Sequence, residues 1–249
     1  MELSHEVAGP PDAPEIVLIH GITENRHAWR PIIDRLAERY RVLAVDLRGH
    51  GESSSGDAYD PMSYASDVVE TIQAVSFRSP LLIGHSLGGV VASAVASLTP
   101  CRGVINVDQP LRLAGFKAGL TQLQPLLEGT VEQFEQAMSM LFESMYGALS
   151  EDERDRIRAL RQPDQAVVLG TWATVFNLSE TELDRAVGAM VAGIKVPYLS
   201  IHGIDPGPGY ADWLTAMVPG AVLEFWEDLG HYPHLIESDR LCAQIDRFR

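Results

Sequence analysis

With 249 residues, the chain is long enough for one large α/β domain, or for one such domain carrying an insertion. Its 46% hydrophobic and 21% charged residues are ordinary for a soluble globular protein. A formal net charge of −15 argues against nucleic acid or an anionic membrane as partner and implies a well-solvated surface.

The amino terminus, Met1-Glu2-Leu3-Ser4-His5-Glu6, lacks the basic start and apolar run of a signal peptide, and no stretch reaches 18 consecutive apolar residues. A cytoplasmic protein is expected. The Pro-rich Gly9-Pro10-Pro11-Asp12-Ala13-Pro14 reads as a loop before a first buried strand at Ile16–Ile19. Further apolar runs follow at Val42–Val45, Leu81–Ile83, Val104–Val107, Val196–Ile201 and Val222–Trp226. Each has the length of a strand buried on both faces, and amphipathic stretches lie between them. Alternation of strand and helix predicts right-handed crossovers and a mostly parallel sheet. Cys101 and Cys242 form no disulfide framework; each reads as a small buried thiol, in keeping with a reducing compartment.

The rhythm breaks between Pro110 and Lys195, where helix signals replace strands. Thr130 to Tyr146 places Val131, Phe134, Met138, Leu141 and Met145 at helical spacing, with Gly147 as a stop. Ser150 with Glu153, and Ser179 with Glu182, fit capping boxes, and Pro163 sets off another helical stretch holding Trp172 and Phe176. The acidic residues from Glu128 to Asp155 read as a solvated face. A helical insertion between strands of a parallel sheet reads as a lid over their carboxyl ends, where ligands bind in such folds. Residues 1–110 and 195–249 are therefore assigned to an α/β core and 111–194 to a helical cap. Met138, Met145, Trp172 and Phe176 are candidates for an apolar substrate pocket, although helical spacing suits plain core as well.

Gly84-His85-Ser86-Leu87-Gly88 stands between the run ending at Ile83 and a helix-like stretch from Gly89 to Leu98. A G-x-S-x-G between strand and helix is a nucleophile elbow, which lifts the serine hydroxyl clear of the sheet beside the first free N–H groups of the helix. Attack by Ser86 at neutral pH needs a base, an acid that orients the base, and donors for the oxyanion. The base belongs after the last strand, where Gly230-His231 follows Val222–Trp226 and the glycine permits a sharp turn. His234, in the following segment, reads as a packing or polar residue. Two backbone N–H groups complete the oxyanion hole: that of Leu87, after the nucleophile, and that of Ile22, where Gly21 turns the chain after Ile16–Ile19. His20 reads as an anchor for that loop.

In these motifs the chain resembles the α/β-hydrolase superfamily over essentially its whole length. The matching elements are His20-Gly21 with Trp29 downstream, Asp46-Leu47-Arg48-Gly49-His50-Gly51-Glu52-Ser53, Gly84-His85-Ser86-Leu87-Gly88-Gly89, and Gly230-His231, in the superfamily's order. The resemblance implies an eight-stranded, mostly parallel sheet, a helical cap between strands 6 and 7, and a Ser-His-acid triad that uses neither cofactor nor metal. Only Met1 to Ala8 can supply the first two strands, which must be brief, or one of them is missing. The superfamily usually carries its acid after strand seven, three residues past a glycine. Here that loop reads Ile201-His202-Gly203-Ile204-Asp205-Pro206-Gly207-Pro208-Gly209, with Asp205 only two past Gly203. Some members carry the acid after strand six, where Asp108 lies in Val107-Asp108-Gln109-Pro110. Asp205 is narrowly favoured, with Asp108 as the alternative.

Dehalogenases and epoxide hydrolases of this fold attack with an aspartate, which Ser86 excludes. The expectation is an esterase that cleaves a small-molecule carboxylic ester or lactone through an acyl-enzyme. A carbon–carbon bond hydrolase or a perhydrolase-type enzyme is the alternative within the fold. A hydrolase-like receptor holding a small ligand beneath the lid is the alternative of a different class.

Overall fold

A computed structural model describes residues 1–248. Seven strands form one sheet: β1 (His5–Ala8), β2 (Glu15–Ile19), β3 (Arg41–Val45), β4 (Leu81–His85), β5 (Gly103–Val107), β6 (Tyr198–His202) and β7 (Val222–Phe225). Their order is β1-β3-β2-β4-β5-β6-β7; β1 runs antiparallel to β3, and every other pair is parallel. Among the described residues the sheet therefore has one strand fewer than the eight expected, because His5–Ala8 is the only strand there before Glu15.

Side chains alternate across a strand, and the sequence uses that period to fill two cores. Val17, Ile19, Leu43, Val45, Leu82 and Val104 enter one cluster; Ile16, Leu18, Val42, Ala44, Leu81, Ile83 and Ile105 enter the other. Burying one such aliphatic side chain is worth about 1.5–3 kcal/mol, so the uninterrupted apolar runs hold the central strands between two layers of helix. The last strand departs from the expectation of two-sided burial. Val222 and Phe225 are exposed, because β7 is the sheet's edge, and only Trp226, just past it, is fully covered.

Helix α1 (Arg30–Leu36) follows a short 3-10 turn, Arg26–Trp29. Helix α2 (Pro61–Ala74) starts on a strong cap: Asp60 accepts from Met62 N and Ser63 N, and Pro61 occupies the first turn. Helix α3 (Leu87–Leu98) follows β4 directly. Five helices then intervene between β5 and β6: α4 (Ala114–Leu127), α5 (Val131–Glu143), α6 (Glu151–Leu160), α7 (Gln165–Asn177) and α8 (Glu180–Val191). Thr130 with Gln133, and Ser179 with Glu182, form reciprocal capping boxes; Ser150 accepts from Glu153 N without the reciprocal bond, Glu153 pairing with Arg156 instead. The core closes with α9 (Tyr210–Met217), α10 (Pro233–Ile236) and α11 (Ser238–Asp246). Among the described residues, no helix is long and apolar enough to cross a membrane, and both cysteines are free and buried.

The register fixes where chemistry can occur. Ile19 pairs with Gly84, His85 with Val107, and Val107 with Ile201. The carboxyl ends of β2, β4, β5 and β6 thus lie side by side, and the loops leaving them meet at one edge.

Candidate active site

The elbow is as tight as its glycines require. A Cβ on Gly84 would run into Gly88 O, and one on Gly88 into Ile19 O, so neither position admits a side chain. Ser86 itself has φ 53° and ψ −124°, a strained conformation for a non-glycine residue, held by Ser86 N donating to Val107 O at 2.9 Å and Gly89 N to Ser86 O at 2.7 Å. Ser86 lines a cavity of about 770 Å³, a volume suited to a small ligand.

Ile22, Leu87 and His231 line the same cavity, so the structure brings the expected nucleophile, base and both oxyanion-hole residues to one place. Leu87 is the first residue of α3, and neither its N–H nor that of Ile22 donates to another group among the described residues. His20 anchors the Ile22 loop at both ring nitrogens: Nδ1–H donates to Gly21 O at 2.7 Å, and Nε2 accepts from Leu47 N at 3.0 Å. Burial pushes the His20 pKa down, in keeping with a neutral ring that accepts at Nε2.

His231 follows Gly230, whose φ of 75° suits glycine, and its N–H donates to Met145 O at 2.8 Å. Its Nδ1–H donates to Asp108 Oδ2 at 2.6 Å, which leaves Nε2 to accept a proton. The other oxygen, Asp108 Oδ1, accepts from Gly203 N at 2.7 Å and Ile204 N at 3.1 Å. Burial alone would raise the Asp108 pKa; the hydrogen bond and charge of His231, the Ile204 N–H and His202 together hold it below the ordinary carboxylate range. Burial lowers the pKa of His231, opposed by its bond to Asp108.

Asp205, the narrowly favoured acid, is corrected by this geometry. It lies at the cavity but is exposed, and its Oδ1 accepts from Gly207 N at 2.8 Å. No hydrogen bond or ion pair joins it to His231 among the described residues. The loop after β6 is short, and its first two N–H groups point at Asp108, so Asp205 caps its own turn. Asp108 also adopts a positive φ, 51°, which turns its carboxylate across the end of β6.

The expected pocket residues divide. Met145 and Trp172 line the cavity, whereas Met138 is buried in the core and Phe176 packs against that core without lining the cavity. Met138 falls on the inner side of the α5 stripe, one of the core positions the same helical spacing allowed. Leu141 and Phe142, from the same helix, do line the cavity, as do Phe116 and Val187 from α4 and α8. Phe116 had no signal beyond general helicity, since α4 lacks a side-chain cap to mark its start. Arg48 makes a bidentate pair with Asp67, 2.5 and 2.8 Å, and His50 Nδ1–H donates to Arg48 O at 2.9 Å; neither lines the cavity. Among the described residues, no group of three or more His, Cys, Asp and Glu side chains is placed to hold a metal ion.

Against this geometry, the profile of the alpha/beta hydrolase family matches residues 16–245. The chain is similar to the pimeloyl-[acyl-carrier protein] methyl ester esterase of Aliivibrio salmonicida, 25% identical over 95% of this chain and 92% of that protein. It is similar also to the magnesium-chelatase 30 kDa subunit of Rhodobacter capsulatus, 34% identical over 95% of this chain and 87% of that one. In structure it matches a hydrolase from Pseudomonas aeruginosa with a TM-score of 0.80 and 20% identity, over 99% of this chain and 93% of that chain.

Proposed function

Because the chain belongs to the alpha/beta hydrolase family, we propose that it is a serine hydrolase that cleaves a small-molecule carboxylic ester or lactone through an acyl-enzyme. The observation that carries this reading is the convergence of a strained, cavity-lining Ser86 with a His231 whose Nδ1 is committed to Asp108.

Ser86 Oγ attacks the substrate carbonyl carbon while His231 Nε2 takes the hydroxyl proton. Asp108 holds the imidazole in the tautomer that can accept that proton and stabilises the imidazolium once formed. The N–H groups of Ile22 and Leu87 receive the negative charge that develops on the carbonyl oxygen. Collapse of the tetrahedral intermediate breaks the carbon–oxygen bond to the alcohol, and His231 protonates the departing oxygen. Water then attacks the acyl-Ser86 ester, giving its proton to His231, and release of the acid returns that proton to Ser86. For a lactone the alcohol and acid leave as one molecule.

The aromatic and aliphatic lining supplied by the cap suits an apolar acyl or alcohol portion. The pimeloyl carrier-protein esterases among the relatives cleave esters on a carrier protein. A free small ester suits the cavity of about 770 Å³. The test is a panel of p-nitrophenyl esters and lactones with the purified protein. Multiple turnover is expected, together with labelling by a serine-directed fluorophosphonate that vanishes in Ser86→Ala. Unimpaired turnover in Ser86→Ala would overturn the mechanism.

A further inference from the structure

The mechanism leaves unused a buried carboxylate directly behind the elbow. Glu24 is 2% exposed and sits in the loop that also carries Ile22. Thr23, with φ 66°, and a bond from Glu24 N to Gly21 O at 3.3 Å turn its side chain inward. Glu24 Oε1 accepts from Tyr232 OH at 2.7 Å, and Tyr232 is the residue after the base. The same phenol oxygen accepts from Arg161 Nη2 at 2.6 Å, so a cap arginine and a core glutamate are bridged through one tyrosine. Glu24 Oε2 accepts no hydrogen bond from the described residues and faces His85 Nδ1 at 3.7 Å.

His85 connects this carboxylate to the base. Its Nε2–H donates to His231 O at 2.8 Å, and the two rings lie 4.6 Å apart. Neither Glu24 nor His85 lines the cavity. The negative charge therefore stands behind the His85 ring, outside the cavity that Ser86 lines.

We propose that Glu24 is a positioning residue for His231, a second buried carboxylate that raises the basicity of the imidazole from behind the His85 ring and ties its loop to the oxyanion loop through Tyr232. A buried charge is costly to keep, and a neutral glutamine could make the same bond to Tyr232; what only the carboxylate supplies is its field. Burial pushes the Glu24 carboxyl up, but His85, Arg161 and Tyr232 more than reverse this and hold it well below the usual carboxylate range, so it is ionised.

The charged and titratable groups around the pair come from every neighbouring loop. His231 faces Asp108 after β5, His85 on the elbow, Glu24 after β2 and Tyr232, with His202 on β6 behind Asp108 at 4.0 Å. Glu24 faces His85, Tyr232 and Arg161, and acts at longer range on His20, His50 and His234. The two carboxylates favour the imidazolium of His231, whereas burial and His85 oppose it.

The experiment is an NMR titration of the His231 imidazole in the full chain, assigned by the signal missing from His231→Gln. Glu24→Gln should lower the His231 pKa by about one unit, the low end for a charge removed at this remove. Tyr232→Phe, which cuts the bridge but keeps the charge, should not lower it. Arg161→Gln, which leaves the carboxylate less compensated, should raise it. On a good ester, Glu24→Gln should lower kcat by about three- to tenfold with KM unchanged. An unmoved His231 pKa in Glu24→Gln overturns the proposal, as does an equal fall in Tyr232→Phe, which would make Glu24 a spacer. If Glu24→Gln does not fold, Arg161→Gln decides alone: an upward shift supports the proposal and no shift overturns it. The part concerning kcat rests on the hydrolase reading, but the titration needs no turnover, so failure of that reading and failure of this one give different results.

Discussion

Replacing Asp108 by asparagine tests the triad most sharply, because the structure dictates which way the amide must turn. Oδ1 accepts from Gly203 N and Ile204 N, and only the amide oxygen of an asparagine can do so. The NH2 group then faces His231 Nδ1, which donates 2.6 Å to the carboxylate in the native protein. Nδ1 must become an acceptor, so the proton moves to Nε2, the nitrogen needed to receive the Ser86 proton. The opposite rotamer sets NH2 against two N–H donors. Loss of the correct tautomer should lower kcat by about 10⁴-fold, on the order of 5.4 kcal/mol in the barrier. Folding should survive at a cost of about 1–3 kcal/mol, since both backbone bonds are kept and only a buried charged bond is lost. Initial rates on one p-nitrophenyl ester, with urea unfolding to check the fold, measure both. Asp205→Asn is the control and should stay within about twofold, because its amide oxygen can still accept from Gly207 N. A dead Asp205→Asn beside an active Asp108→Asn would refute the reasoning.

Three further outcomes are expected. The kcat/KM of the wild type should rise with pH and level off at an apparent pKa below the ordinary histidine value of about 6.5, because burial depresses His231 and only its neutral form accepts a proton; a pH-rate profile checks this, and a plateau reached only above that value would contradict it. Trp172→Ala should change the kcat/KM ratio between short and long acyl chains by about 10–200-fold, since its side chain lines the cavity; a uniform loss across the ester panel would make it structural core instead. Stability should fall in acid. His50 and His202, each buried and pushed down to about 4, are neutral when folded, so the unfolded chain binds more protons between about pH 6.5 and 4; the stability they contribute is present above that window and lost as pH falls through it. Urea midpoints at pH 7 and pH 5 measure the loss, and equal midpoints would exclude it.

Much of this was legible because certain demands are local. The elbow is written in five adjacent residues, as Gly84 and Gly88 are the only solution where a Cβ would meet backbone. The buried strands announced themselves as unbroken apolar runs for the same reason, since burial on both faces leaves no polar position. β7 misled because an edge strand can carry the same run with Val222 and Phe225 left exposed. Which aspartate meets His231 was not legible, because that depends on where two N–H groups of another loop point. The pocket was half legible: one helical stripe contains both Met138, which faces the core, and Met145, which faces the cavity. Glu24 left no signal at all, being one carboxylate among 34 acidic residues until the fold buries it behind the elbow.

The placement of Asp108 follows from the register of β5 and β6. Val107 pairs with Ile201, and Asp108 N donates to Ile201 O at 2.7 Å, so the chain leaves β5 still bonded to its neighbour. At φ 51° Asp108 turns over the end of β6 and meets the two N–H groups that the loop there leaves free. Aspartate tolerates the left-handed region better than most residues, and bonds from N–H to a buried carboxylate are worth about 1.5–3 kcal/mol each, enough to offset the strain. The shortened loop after β6 then acquires a physical role. Instead of presenting a carboxylate to His231, it presents Gly203 N and Ile204 N to one that arrives from the adjacent strand. Ser86 and Asp108, which both line the cavity, are thus held at positive φ by loops that continue the sheet's hydrogen bonding.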